Sequence, residues 1–437
     1  MKKQLAAIFL VSFLFIQPSY GNKLKIEQFV SPETCGDCHV KIYEQWENSM
    51  HNQAHTDPIY NDVAEFLLKG LKDKDEIAEG ESCVKCHTPI GNITGFPKKF
   101  SDDKTKTAEI ATKGIQCDYC HSATGSSKPY NNGLIIEPGN GEDDPGVKRG
   151  PFKDSESDYH ESAYSKFHTE AAVCGTCHDV KHVVFETPLE TTYEEWQKSP
   201  YNSKDPANRV NCQGCHMYQR PGIAATGSTK RPSNKGTAAE DGPERDHIFT
   251  HYFVGGNSAL PGLAGDKTKA TMAEERLQNA AELSIDTKNI KKGEVCVTIT
   301  NNGAGHYLPT GLTNVREMWL SVVVKDKAGK TVFSRGETDA NGYLGSDVIL
   351  YNTVFGDGKG KPVTNISKAK EVLNDNRIPP QKSVAESFTF KSKPDELYSI
   401  NVKLLYRGAS QKLLDTVHGK RKLTLPVVVM EELNMKM

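Results

Sequence analysis

The chain has 437 residues, a formal net charge of −2 and an apolar fraction of 36 %. That length allows two or three domains with a sizeable core, and the near-neutral balance, without a long block of one sign, excludes a nucleic-acid partner on charge grounds. The apolar fraction is low for a chain that fills its interior with side chains alone, so something else is expected inside.

Residues 1–21 read as an export signal. Lys2 and Lys3 precede the apolar run LAAIFLVSFLFI, and Ser19 and Gly21 place small residues at −3 and −1 of a cut. The run is too short to span a bilayer, no comparable one follows, and no cysteine stands after the cut to take a lipid anchor. The mature chain is expected to start near Asn22, to be soluble with no transmembrane segment, and to reside in the periplasm or outside the cell.

Ten of the eleven cysteines then fall into a single pattern. Cys35-Gly-Asp-Cys38-His39, Cys83-Val-Lys-Cys86-His87, Cys117-Asp-Tyr-Cys120-His121, Cys174-Gly-Thr-Cys177-His178 and Cys212-Gln-Gly-Cys215-His216 all read C-x-x-C-H. This is the spacing of covalent c-type haem attachment, with two thiols for the two vinyl groups and the adjoining histidine as proximal ligand. A redox disulfide has no need of the trailing histidine, and a zinc site does not demand it in every copy. The expectation is five c-type haems. Their porphyrins would supply the missing apolar interior, and their propionates would make the holoprotein more acidic.

The motif starts are 48, 34, 57 and 38 residues apart, which is little protein per haem. Residues 22–284 should therefore be short helices and loops wrapped around packed macrocycles. Residues 122–158 and 219–245 are loop by composition. The stretch 271–284, TMAEERLQNAAELS, predicts a helix capped by Thr271 that leads out of this region. From 285 to 437 short β-branched runs such as EVCVTITN and INVKLLYRG alternate with Gly- and Pro-bearing turns, which predicts an antiparallel β-sandwich. Cys296, the odd cysteine, is expected as a small buried strand residue. The fold class is thus mixed: an α/loop haem domain followed by a β-sandwich domain.

Nine of the fourteen histidines stand outside the motifs, available as second axial ligands. His51 sits in YEQWENSMHN on a predicted helical stretch, one turn before His55. A second copy of this stretch, YEEWQKSPYN at 193–202, has Tyr201 where the first has His51. Either His160, His247 or His306 replaces it at that iron, or one iron is open beside Tyr201. His160 and His168 are spaced as two helical turns, and His247 and His251 as one. His306 lies in the strand-end loop NNGAGHYLPTG, from which a histidine can reach a neighbouring domain. His182 should point away from the iron of its own motif, and His418 is expected on the surface.

The combination of C-x-x-C-H followed by YEQWENSMHNQA, with FHTEAAVCGTCHD, CQGCHM, HYFVGGN and GHYLPTG, resembles the multihaem cytochromes related to cytochrome c-554 over roughly residues 30–345. The resemblance implies that His51, His168 and His251 are distal ligands. With His160 and His306 these complete five bis-histidine, low-spin irons. It also implies electron transfer between donor and acceptor redox proteins. The alternative is a multihaem oxidoreductase acting on a small nitrogen or sulfur oxyanion at one five-coordinate haem. Against it, every motif ends in histidine, and the lysine-ended motif of ammonia-forming nitrite reductases is absent.

Overall fold

A computed structural model of the chain describes residues 23–393, 397–420 and 422–437; the expected export signal lies outside these. Within them no helix is long and apolar enough to cross a membrane.

Residues 23–281 form short helices joined by long loops. Their starts are locally encoded. Ser31 accepts from Thr34 N ahead of Pro32–Gly36, and Asp57 accepts from Ile59 N and Tyr60 N ahead of Pro58–Leu68. In both, proline takes the first helical position, where its missing N–H costs nothing. Three two-stranded pairings interrupt the loops: Ala123–Ser126 with Leu134–Ile136, Val147–Gly150 with Glu161–Tyr164, and Val180–Lys181 with Pro188–Glu190. Side-chain clusters here are small, such as that around Phe29, Ile90 and Tyr119. The larger core belongs to the C-terminal part.

The exit helix differs from its expected form. It spans Lys267–Gln278 and is capped by Asp266, which accepts from Lys269 N. Residues 282–286, ELSID, alternate with period two and form the strand Glu282–Asp286, paired with Glu294–Thr300. The alternation in ELSID outweighs the helical reading of the preceding residues.

The C-terminal part is antiparallel. One sheet runs Thr331–Arg335, Glu317–Asp326, Tyr398–Arg407, Val428–Lys436; a second runs Ser383–Thr389, Glu294–Thr300, Glu282–Asp286. Val295, Val297 and Ile299 alternate inward from the second sheet, while Leu320, Val322, Val324, Ile400, Val402 and Leu404 face them from the first. Cys296 therefore points to the other face of its strand and is only half-buried, contrary to expectation. A smaller sheet, Thr353–Gly356 between Pro362–Val363 and Glu371–Asp375, lies toward the N-terminal part. There Phe355 and Ile366 pack with Leu67 and Leu189.

Candidate haem-binding site

Each C-x-x-C-H motif closes a single helical turn. His39, His87, His178 and His216 donate their backbone N–H to Cys35, Cys83, Cys174 and Cys212 at 2.9–3.1 Å. His121 ends the helix Cys117–His121. One turn of α-helix brings residues i, i+3 and i+4 to one side, so both thiols and the imidazole of each motif face the same space. That space is a branched cavity of about 2040 Å3, lined by all ten motif cysteines and all five motif histidines.

The imidazoles are aimed by their other nitrogen. His39, His87, His121 and His216 hold Nδ1 against the carbonyls of Ala238 (2.8 Å), Ala54 (2.8 Å), Arg149 (2.6 Å) and Val254 (3.2 Å). His178 differs: its Nδ1 lies 3.5 Å from Glu190 Oε1. Fixing Nδ1–H in this way leaves Nε2 as the ligand atom.

Opposite four of these stand four further histidines. With metal–imidazole bonds of about 2.0–2.1 Å, rings on opposite sides of one iron have centroids roughly 6.3 Å apart. The rings of His39 and His160 are 6.4 Å apart, those of His178 and His51 6.2 Å, His121 and His251 6.3 Å, and His216 and His306 6.5 Å, all within 30° of parallel. His160, His251 and His306 direct Nδ1 to the carbonyls of Glu161, Phe249 and Tyr307. Burial, helped by neighbouring imidazoles, lowers His51 and His121 to about 3 and His251 to about 4, which keeps them neutral, the form a metal ligand requires. At His178 burial acts in the same direction, but Glu190 overrides it and the group rises to about 9.

The fifth motif histidine in this count, His87, has no such partner among the described residues. The ring against it is Tyr60, stacked at 3.7 Å and 5°. His55, expected beside His51, instead binds Thr88 Oγ1 at 2.7 Å through Nδ1.

The remaining histidines take protein partners. His168 lies 5.8 Å from His121; its Nε2 bonds the Cys120 carbonyl at 2.9 Å, which braces the third motif, and its Nδ1 is buried with no partner. With Nε2 engaged, it is not placed as the other four are. Accordingly, His168→Ala is expected to leave the number of low-spin irons unchanged in ferric electron paramagnetic resonance. Loss of one low-spin signal would return His168 to the coordination sphere. His182 is buried, accepts from Val184 N and Phe185 N, and contacts the Ser367 carbonyl at 3.0 Å. His247 stacks on Tyr218, and His418 pairs with Asp62 at 2.6 Å instead of standing free on the surface.

The two copies of the Tyr-Glu-x-Trp stretch occupy equivalent places. Tyr43 lies over Gly36 and Tyr193 over Gly175, too closely for a Cβ at either glycine. Trp46 Nε1 donates to the Ile115 carbonyl and Trp196 Nε1 to the Val210 carbonyl, each at 2.8 Å and each two residues before the next motif cysteine. Ile115 N returns to the His51 carbonyl and Val210 N to the Tyr201 carbonyl, each at 2.9 Å. Tyr201 thus holds the backbone position of His51. Its hydroxyl contacts the Asn302 carbonyl and accepts from Gln381 Nε2, while Gly305 packs on its ring. His306, next in sequence, enters from the β domain opposite His216. Among the described residues, the motif histidine with no histidine opposite it is His87.

Residues 34–122 match the family model described as cytochrome c554 and c-prime. No curated protein matches. Among solved structures, the chain is similar to a penta-haem cytochrome c552 from Thermochromatium tepidum, with 18 % identity and a TM-score of 0.64 over 95 % of this chain and all of the other. Residues 34–122 thus resemble the cytochrome c554 and c-prime family, and the chain as a whole shares its fold with a penta-haem c-type cytochrome, with a β-rich C-terminal part.

Proposed function

We propose that the protein binds five c-type haems and passes electrons among them between redox partner proteins in the periplasm or at the cell exterior. The observation that carries this reading is the set of four imidazole pairs at 6.2–6.5 Å. Bound haem supplies one-electron exchange at iron, and bis-histidine ligation leaves no axial position for a substrate. The chain's part is to fix the ligands and the order of the sites. Cys35 is a neighbour of Cys117, Cys86 of Cys177, and Cys174 of Cys212. The first motif therefore adjoins the third, and the second and fifth adjoin the fourth. The five-haem neighbour in fold and the sequence pattern of residues 1–21, which reads as an export signal, support the same reading.

His87 favours a second reading at one position. With no histidine opposite, its iron would bind a small ligand, which suits an oxidoreductase acting on a nitrogen or sulfur oxyanion there. A pyridine haemochrome assay is expected to give five haems per chain. Ferric electron paramagnetic resonance should then show four low-spin irons and one high-spin iron, the last shifting with nitrite or hydroxylamine. Five low-spin irons would restrict the protein to electron transfer; fewer than five haems would sink the count.

A further inference from the structure

Four of the five motif histidines hand Nδ1 to a neutral backbone carbonyl, and His178 alone faces a carboxylate. The placement of Glu190 is built into the fold. The hairpin that follows the fourth motif pairs Val180 with Glu190, which returns the carboxylate to the histidine just upstream. Thr192 Oγ1 donates to Glu190 Oε1 at 3.2 Å. The glutamate side chain is 17 % exposed, and the half-exposed His178 ring opens onto the haem cavity. Across the site, His51 Nδ1 is buried with no partner, so the asymmetry between the two axial ligands is complete.

The fourth motif is also central. Cys177 lies near Cys86 of the second motif, Cys174 near Cys212 of the fifth, and Cys120 of the third near both. An anionic acceptor on Nδ1–H pushes electron density onto the imidazole and stabilises the ferric over the ferrous state more than a carbonyl does.

We infer that Glu190 holds the fourth site at the lowest potential of the four bis-histidine sites, so that electrons rest on the surrounding sites and cross the centre only in transit. The step is the transfer of one electron from one iron to the next, and no bond to Glu190 is made or broken. Glu190 is a positioning and tuning residue acting through His178. The inference rests on the five-haem reading above.

The test is a potentiometric titration of the holoprotein, followed by electron paramagnetic resonance, for wild type, Glu190→Gln and Glu190→Asp. Glu190→Gln is expected to raise the midpoint of one low-spin signal by a tenfold change in its ferrous-to-ferric ratio, about 59 mV for one electron, and to shift the g-values of that signal. Glu190→Asp, which keeps the charge but shortens its reach, should move the same signal less, and it serves as the test if the glutamine variant loses haem. His51→Ala identifies the fourth site by abolishing the affected signal. Unchanged midpoints in both Glu190 variants, or a shift in a signal that survives His51→Ala, overturn the inference. A wild type with fewer than five haems, or without low-spin iron, would fail the five-haem reading instead.

Discussion

Replacing His51 by alanine is expected to turn one of four low-spin ferric irons high-spin while leaving the haem count and the fold intact. The His51 ring stands 6.2 Å from His178 on the far side of the cavity, and its Nδ1 has no protein partner. Removing the side chain therefore breaks no hydrogen bond within the chain. What is lost is one contact face against Phe253, whose ring lies 4.2 Å away. The backbone at this position is held independently, since Ile115 N reaches the His51 carbonyl whatever the side chain is, as Val210 N reaches that of Tyr201. Alanine should thus be accommodated, with water or a small exogenous ligand entering the vacated coordination position. The measurement is the low-spin to high-spin ratio in ferric electron paramagnetic resonance, with haem content from the haemochrome assay. An unchanged ratio would remove His51 from the ligand set.

The haem motifs were legible in the sequence because covalent attachment needs a local pattern: two thiols and an imidazole on one helical turn. His306 was legible for a different reason. A Gly- and Asn-rich loop at a strand end is a place from which a side chain leaves its own domain. The distal histidines were harder, since coordination joins residues far apart in sequence. His39 faces His160 and His121 faces His251, and no spacing rule links them. His168 shows the hazard: it stands just before a motif, as the resemblance required, yet its Nε2 meets the Cys120 carbonyl. The helical spacing assumed for His160 with His168 and for His247 with His251 failed because haem-lined loops need no amphipathic helix to bury their apolar residues. Glu190 left no sequence signal that was read. Its role depends on the Val180 register, and a lone glutamate after a short hairpin looks like any exposed one.

The β domain was recognisable from period-two alternation, but its use was not. The structure connects it to the haem region through buried and half-buried polar groups: His182 with Ser367, and Asn365 Nδ2 with the Leu67 carbonyl at 2.8 Å. Such contacts fix one docking arrangement because an unpaired buried polar group is costly in any other. That specificity matters at the fifth motif, where the His306 ring from the β domain stands 6.5 Å from that of His216.

Glu195 and Arg377 are expected to be the pair on which this placement depends. Both are buried, with side chains 4 % and 6 % exposed, and Arg377 Nη1 lies 2.5 Å from Glu195 Oε1. Arg377 is further held by Asp375, while Glu195 Oε2 accepts from Tyr307 N at 3.0 Å and Thr310 Oγ1 at 2.8 Å. The carboxylate comes from the helix Thr192–Gln197 in the haem region, and the groups it binds flank His306 on the β domain. Arg377→Met leaves a buried carboxylate without its cation, a loss of about 3–5 kcal/mol. The expected results are a marked fall in thermal stability and, as the loop loosens, a high-spin signal from the fifth site. By contrast, Lys198→Ala removes an equally short but exposed pair with Glu194 and should change stability by about 0–1 kcal/mol. Combining Arg377→Met with Glu195→Leu removes both charges and should recover part of the stability. It should not recover His306 ligation, because Tyr307 N and Thr310 then lack their acceptor. If Arg377→Met leaves the melting temperature and low-spin count unchanged, the pair does not position His306. If the double variant restores both, the charge alone was at stake and the hydrogen bonds to the loop are dispensable.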